Sequence, residues 1–122
     1  MANQKLKELP FEIGTLINLQ NLDLHNNELT ELPPQIGKLT NLKQLRLRMN
    51  NITELPPEMG NLAKLVKLHI DPEVNSGFEY VLALFDHKLR LIRIGDKLYQ
   101  KKEEVERYIE SQKGAMIKGA MT

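Results

Sequence analysis

The chain has no cysteine and no tryptophan, and aromatic residues make up only 5% of its 122 positions. Without thiols it can hold no disulfide framework, no thiolate zinc site and no cysteine nucleophile. Serine is almost as scarce. Ser76 and Ser111 are its only examples, and neither has a histidine and an acid in a nucleophile pattern. An excess of one charge is missing too, because 17 Lys+Arg stand against 16 Asp+Glu for a net +1. That balance predicts no global attraction to nucleic acid or to an anionic membrane. No apolar run approaches the roughly 20 residues that cross a bilayer. The opening Met1-Ala2-Asn3-Gln4-Lys5 has no apolar h-region, so no signal peptide is expected and the chain is read as soluble and cytoplasmic. What the chain does have is leucine: 21 in all, 16 of them before Ile70.

The leucines are periodic. A shift of 23 residues superimposes Leu9 on Leu32 and Leu55, and Pro10 on Pro33 and Pro56. The same shift aligns Gly14, Gly37 and Gly60, then Leu16, Leu39 and Leu62, then Leu22, Leu45 and Leu68. Asn27 falls on Asn50, and Leu6, Leu29 and Ile52 open successive units. Each unit alternates apolar and polar residues over a short stretch, such as 19–25, which predicts a strand with one buried face. The proline pair that follows suits the first turn of a helical or 3₁₀ segment. The glycine after it suits a turn ending at positive φ. One such coil cannot bury its leucine face alone, but stacked coils share a continuous core. Equal coils need fillers of equal size, which accounts for leucine in place of phenylalanine. Asn27 and Asn50 stand where the chain leaves the strand, positioned to satisfy backbone groups of the adjacent coil.

Residues 19–29 and 42–52 carry Leu-x-x-Leu-x-Leu-x-x-Asn-x-Leu, and the turns read Leu-Pro-x-x-Ile/Met-Gly. Over residues 4–72 the chain resembles the leucine-rich-repeat family, in its 23-residue Ras-suppressor-like and bacterial form. The resemblance implies an α/β fold: a right-handed solenoid with a short parallel concave sheet, used mainly for binding proteins. Three repeat units are expected over residues 1–72, the first incomplete.

The pattern fails in the third unit, where Glu73 and Asn75 replace the expected Asn and Leu. Residues 73–113 read instead as an irregular fourth unit and a helical C-terminal cap. Ser76 with Glu79 forms a capping-box pattern ahead of a helix over 78–85. Residues 89–94 predict a fourth strand with Leu89, Ile92 and Ile94 inward. A last helix is expected from about 101 to 113, with Val105, Tyr108, Ile109 and Gln112 on one face and Gly114 as its stop, then a flexible tail over 114–122. The N-terminus shows no matching closure. Leu6, Leu9, Ile13 and Leu16 are expected to present an apolar end, pointing to a homo-oligomer through that end or to a fragment of a longer protein.

On the outward sheet face the register lines up three rows: Asn21, Gln44, Lys67 and Leu91; Asp23, Arg46, His69 and Arg93; His25, Arg48, Asp71 and Gly95. These polar, mildly basic rows are the candidate partner-binding surface, with Arg46, Arg48, Lys67 and Arg93 suited to carboxylates of an acidic protein. The competing reading is an ordinary solvated face with Asp23 and Arg46 as a cross-strand pair. His25 and His69 lack a third ligand at a metal-site spacing. Asp71-x-Glu73-x-Asn75 starts like a calcium loop, but Ser76 and Leu82 stand where Gly and Glu are needed. No cofactor, metal or catalytic residue is expected, and the chain is read as a non-enzymatic interaction module.

Overall fold

The computed structural model describes residues 2–121, with side chains described through residue 113. Five strands form one sheet in sequence order: β1 (Asn21–Asp23), β2 (Gln44–Arg46), β3 (Lys67–Ile70), β4 (Leu91–Ile94) and β5 (Lys97–Tyr99). The first four run parallel, and β5 returns antiparallel to β4. Opposite the strands, 3₁₀ turns at Phe11–Thr15, Pro34–Lys38 and Pro57–Asn61 stack on one another. Helix α1 (Phe78–Leu82) occupies the next place in that stack and continues into a 3₁₀ turn, Ala83–Asp86. Helix α2 (Lys102–Met121) closes the chain. Gly114, the expected stop, lies inside its bounds, and the tail expected over 114–122 falls outside the residues whose side chains are described.

The core runs along the stack as the periodicity requires. Leu22, Leu24, Leu45, Leu47, Leu68, Ile70, Ile92 and Ile94 point inward from the strands and are all buried. Leu39, Leu42, Leu62 and Leu65 fill the turn side. At the C-terminal end Val105 is buried, while Tyr108 and Ile109 pack against the core, Tyr108 with its ring against those of Phe78 and Tyr99. Gln112 does not join them and stays exposed.

Two asparagines clamp the coils. Asn50 Oδ1 accepts the Leu29 amide at 3.1 Å, while its Nδ2 donates to the Leu24 and Leu47 carbonyls at 2.9 and 3.0 Å. Asn27 Oδ1 takes the amides of Gln4 and Leu6, both at 3.0 Å. The next rung lacks its asparagine. There Asp71 Oδ2 accepts the Asn50 amide at 3.1 Å.

Two local expectations need correction. The repeated glycine does not sit at positive φ; among the glycines of the described residues Gly77 and Gly95 do. Gly37 is needed for closeness instead, since a Cβ there would lie 2.9 Å from the Glu58 Cβ of the next turn. The capping box at Ser76 does not form either. Gly77, left-handed at φ 91°, holds the cap position of α1, and no side chain caps the helix. The left-handed conformation has its own period: Asn3, Asn26 and Met49 are 23 residues apart, and Gly95 falls two periods after Met49. The intervening place belongs to Pro72, whose ring holds φ near −65°. The repeat breaks where a residue enters that cannot make its turn.

Candidate functional site

The strand register brings the predicted rows together on the open face of the sheet. Asn21 faces Gln44, Gln44 faces Lys67 and Lys67 faces Leu91. One step further, Asp23, Arg46, His69 and Arg93 pair in sequence. His25, Arg48, Asp71 and Gly95 follow just beyond the strand ends, where the chain turns away. Side chains on this face point outward because their neighbours at every second position are the buried leucines.

Within the rows the charges separate. At the β1 edge, Asp23 Oδ1 lies 2.6 Å from His25 Nδ1 and accepts the His25 amide at 3.1 Å. An ionised carboxylate only accepts, so that ring nitrogen carries the proton. Asp23 Oδ2 stands 3.8 Å from Arg46 Nη1, a loose form of the expected cross-strand pair. Asp71 is partly spent on Asn50, as described above. In the middle of the face, Arg46, Arg48, Lys67 and Arg93 surround the half-buried imidazole of His69. Among the described residues, neither Lys67 nor Arg93 makes an ion pair with a carboxylate. Arg48 reaches only Asp96, at 3.5 Å, and the Asp96 side chain is 94% exposed. The Arg48 Nε is buried with no hydrogen-bond partner.

This arrangement makes the face acid-sensitive. Burial, then the charges of Arg46, Arg93, Arg48 and Lys67, hold the His69 imidazole below its ordinary value. The unfolded chain therefore takes up a proton below about pH 6.5 that the folded chain resists, and stability falls as pH drops through that value. For Asp23, burial raises the carboxyl, but the hydrogen bonds and charge of His25, with Arg46, outweigh it and lower it overall. Its contribution is present above the ordinary carboxylate value and is lost at still lower pH. Thermal melts at about pH 7.5 and 5.5 should show a lower midpoint at the acid value, a drop that His69→Gln reduces. An equal drop in the variant would place the acid sensitivity elsewhere.

Sequence reasoning missed one part of this face. The β4–β5 hairpin puts Leu98 in register with Arg93, and Leu98 is 53% exposed. The signal was there: Gly95-Asp96 between two apolar stretches is a two-residue hairpin loop with glycine first, and Gly95 sits at φ 60°. The apolar end is also rearranged. Leu9 and Ile13 are buried at 5% and 3%, and Leu6 is half-buried, so these three do not form an exposed patch. Leu16 does, at 48%, whereas its equivalents Leu39 and Leu62 are fully covered by the coils before them. Phe11 and Ile17 join it, both exposed, at positions that the other coils give to Pro34, Pro57, Thr40 and Ala63.

Among the described residues no group of three histidine, cysteine or acidic side chains could hold a metal ion, and no helix is long and apolar enough to cross a membrane. Two surface depressions, of about 680 Å³ each, lie beside the turns rather than on the sheet face. They are shallow and lined by Glu8, Glu31 and Glu54 with neighbouring prolines.

Residues 1–109 match the family model described as "Leucine-rich repeat region". No curated protein matches the chain. A solved leucine-rich-repeat protein of Leptospira interrogans is 39% identical over 73% of this chain, with a TM-score of 0.54. The chain spans 19% of that protein's length. With the asparagine clamps, the stacked 3₁₀ turns and the parallel sheet, the match over residues 1–109 means that this chain belongs to the leucine-rich-repeat family.

Proposed function

We propose that the chain is a non-catalytic protein-interaction module that holds its partner on the open face of the sheet. One observation carries this reading. Asn21, Gln44 and Lys67, and beside them Asp23, Arg46, His69 and Arg93, lie in two register rows on the outward sheet face, all of them exposed or half-buried. A rigid scaffold that presents aligned polar side chains is built for contact with another macromolecule. Arg46 and Lys67 are exposed and lie outside the core, so charge reversal there leaves the fold in place. Arg46→Glu with Lys67→Glu is expected to reduce partner capture by the immobilised protein about tenfold or more, compared by quantitative mass spectrometry. Unchanged capture of every partner would remove the face from the function.

A second reading rests on Phe11, Leu16 and Ile17. Apolar residues at solvent positions of the first coil favour association of two copies through that coil. Light scattering should then show the mass rising with concentration, and Leu16→Asp with Ile17→Asp should hold it at the monomer value. A monomer mass at every concentration excludes it.

A further inference from the structure

The sheet face is graded along the strand order. At β1 it is acidic and internally satisfied, with Asp23 held by His25 and Arg46. Over β2 to β4 it is cationic: among the described residues Lys67 and Arg93 have no carboxylate partner, Arg93 Nε donates to the Gly95 carbonyl at 3.2 Å, and Arg46 and Arg48 reach carboxylates only at 3.8 and 3.5 Å. At β4–β5 it turns apolar, with Leu91 in register with Lys67 and Leu98 in register with Arg93. Cationic groups without a close internal carboxylate gain most from carboxylates supplied by a partner, because such bonds are charge-assisted and, with arginine, can be bidentate. An exposed leucine beside them offers a small area on which an apolar side chain can be covered.

Distances across the sheet set the spacing of such a ligand. From Arg46 to Leu98 there are three strand-to-strand steps of about 4.8 Å, or about 14 Å in all. An extended chain covers that in about four residues, with alternate side chains on one side. The first and third side chains then fall over the cations and the fifth over Leu98.

We propose that the face binds an extended acidic segment of a partner protein, with two carboxylates at alternate positions over Arg46, Lys67 and Arg93 and an apolar side chain two residues further on against Leu91 and Leu98. This rests on the interaction-module reading and narrows it to one chemistry and one spacing. It assigns Leu98 a specificity role.

The test is titration of the isotope-labelled protein, followed by backbone amide shifts, with synthetic peptides. One set carries Glu-Ser-Glu-Ser-Leu and its reverse. The counterparts replace Glu by Gln or Leu by Ser, and a short oligothymidylate serves as the phosphate probe. The Glu peptide, in one of its two directions, is expected to shift the amides of β2 to β5. Lys67→Glu with Arg93→Glu should weaken it about tenfold or more, and Leu98→Ser several-fold. The Gln peptide and the oligonucleotide should leave those strands unmoved. Equal binding of the Glu and Gln peptides on β2 to β5 would overturn the acidic specificity while leaving a protein-binding face. Tighter binding of the oligonucleotide there would overturn both readings. A Leu98→Ser variant with undiminished affinity would overturn the apolar anchor, and no shift on β2 to β5 with either direction of the Glu peptide would overturn the whole proposal.

Discussion

Gly77→Ala is expected to destabilise the fold by about 4 kcal/mol. A Cβ at that position would stand 2.2 Å from the Leu55 carbonyl oxygen and 2.8 Å from the Leu55 Cβ. Leu55 is fully buried, and its amide donates to the Ser76 carbonyl at 3.0 Å, so neither partner can step aside without breaking the contact that docks the cap. The backbone adds a second cost. At φ 91° Gly77 holds a conformation that costs an L-residue about 1–2 kcal/mol. With a forced overlap of about 1–3 kcal/mol in a packed site, the sum reaches about 4 kcal/mol. That is a large share of the 5–15 kcal/mol that holds a typical domain together. Urea unfolding followed by circular dichroism measures it. Gly60→Ala is the control, because its Cβ would meet only the Tyr80 carbonyl, at 3.3 Å, and its φ is not positive. It should stay within about 1 kcal/mol of the parent. A Gly77→Ala variant that did the same would show that α1 can shift its seat on the third coil.

Asn50→Leu should be the second most damaging change, at about 3 kcal/mol or more. Leucine matches the shape but removes the acceptor for Leu29 and the donor for Leu24 and Leu47. The Leu24 carbonyl keeps the Asn27 Nδ2 at 3.0 Å, but the Leu29 amide and the Leu47 carbonyl stay buried in packed coils, and each polar group left alone there costs about 1–3 kcal/mol. The half-buried Asn41 donates to the Ile17 carbonyl at 2.8 Å in a bond that is exposed, so water can replace it. Asn41→Leu should therefore cost less than about 1 kcal/mol. Equal losses in the two variants, read from chemical unfolding midpoints, would mean that burial is not what gives the Asn50 clamp its strength.

Most of the fold is legible in residue spacing because the coils repeat. Leu22, Leu45 and Leu68 share one environment, so each confirms the reading of the others, and the strand register follows from the 23-residue shift alone. The rows on the sheet face came with it: fixing which leucines point inward also fixes which residues between them point outward. The misreadings occur where repetition ends or where two causes give the same residue. Glycine serves both positive φ and close approach, and a single chain cannot tell these apart at Gly37. Ser76 has the right neighbours for a cap, but Gly77 removes the need for one by turning left-handed. Leu98 was missed because β5 reverses direction, and no earlier coil provides a template for an antiparallel strand. Leu9 and Ile13 belong by register to the open end, yet both are buried in the continuous core.

The stacking of coils also sets the order in which the molecule opens. Among the described residues the 3₁₀ turns stack each on the next in line, and each strand pairs with its sequence neighbours in the sheet. Stability in such an array is close to a sum of neighbour terms, and among the described residues β1 is paired with a strand on one side only. At the other end the ring contacts of Tyr108 with Phe78 and Tyr99 tie α2 to the cap and the last strand. Opening should therefore begin around β1 and move toward β4, with amide exchange fastest in the first coil. That coil also bears Phe11, Leu16 and Ile17, so the segment with the least internal support carries the most apolar surface toward the outside. Any contact that covers those three side chains would steady the array from its weak end.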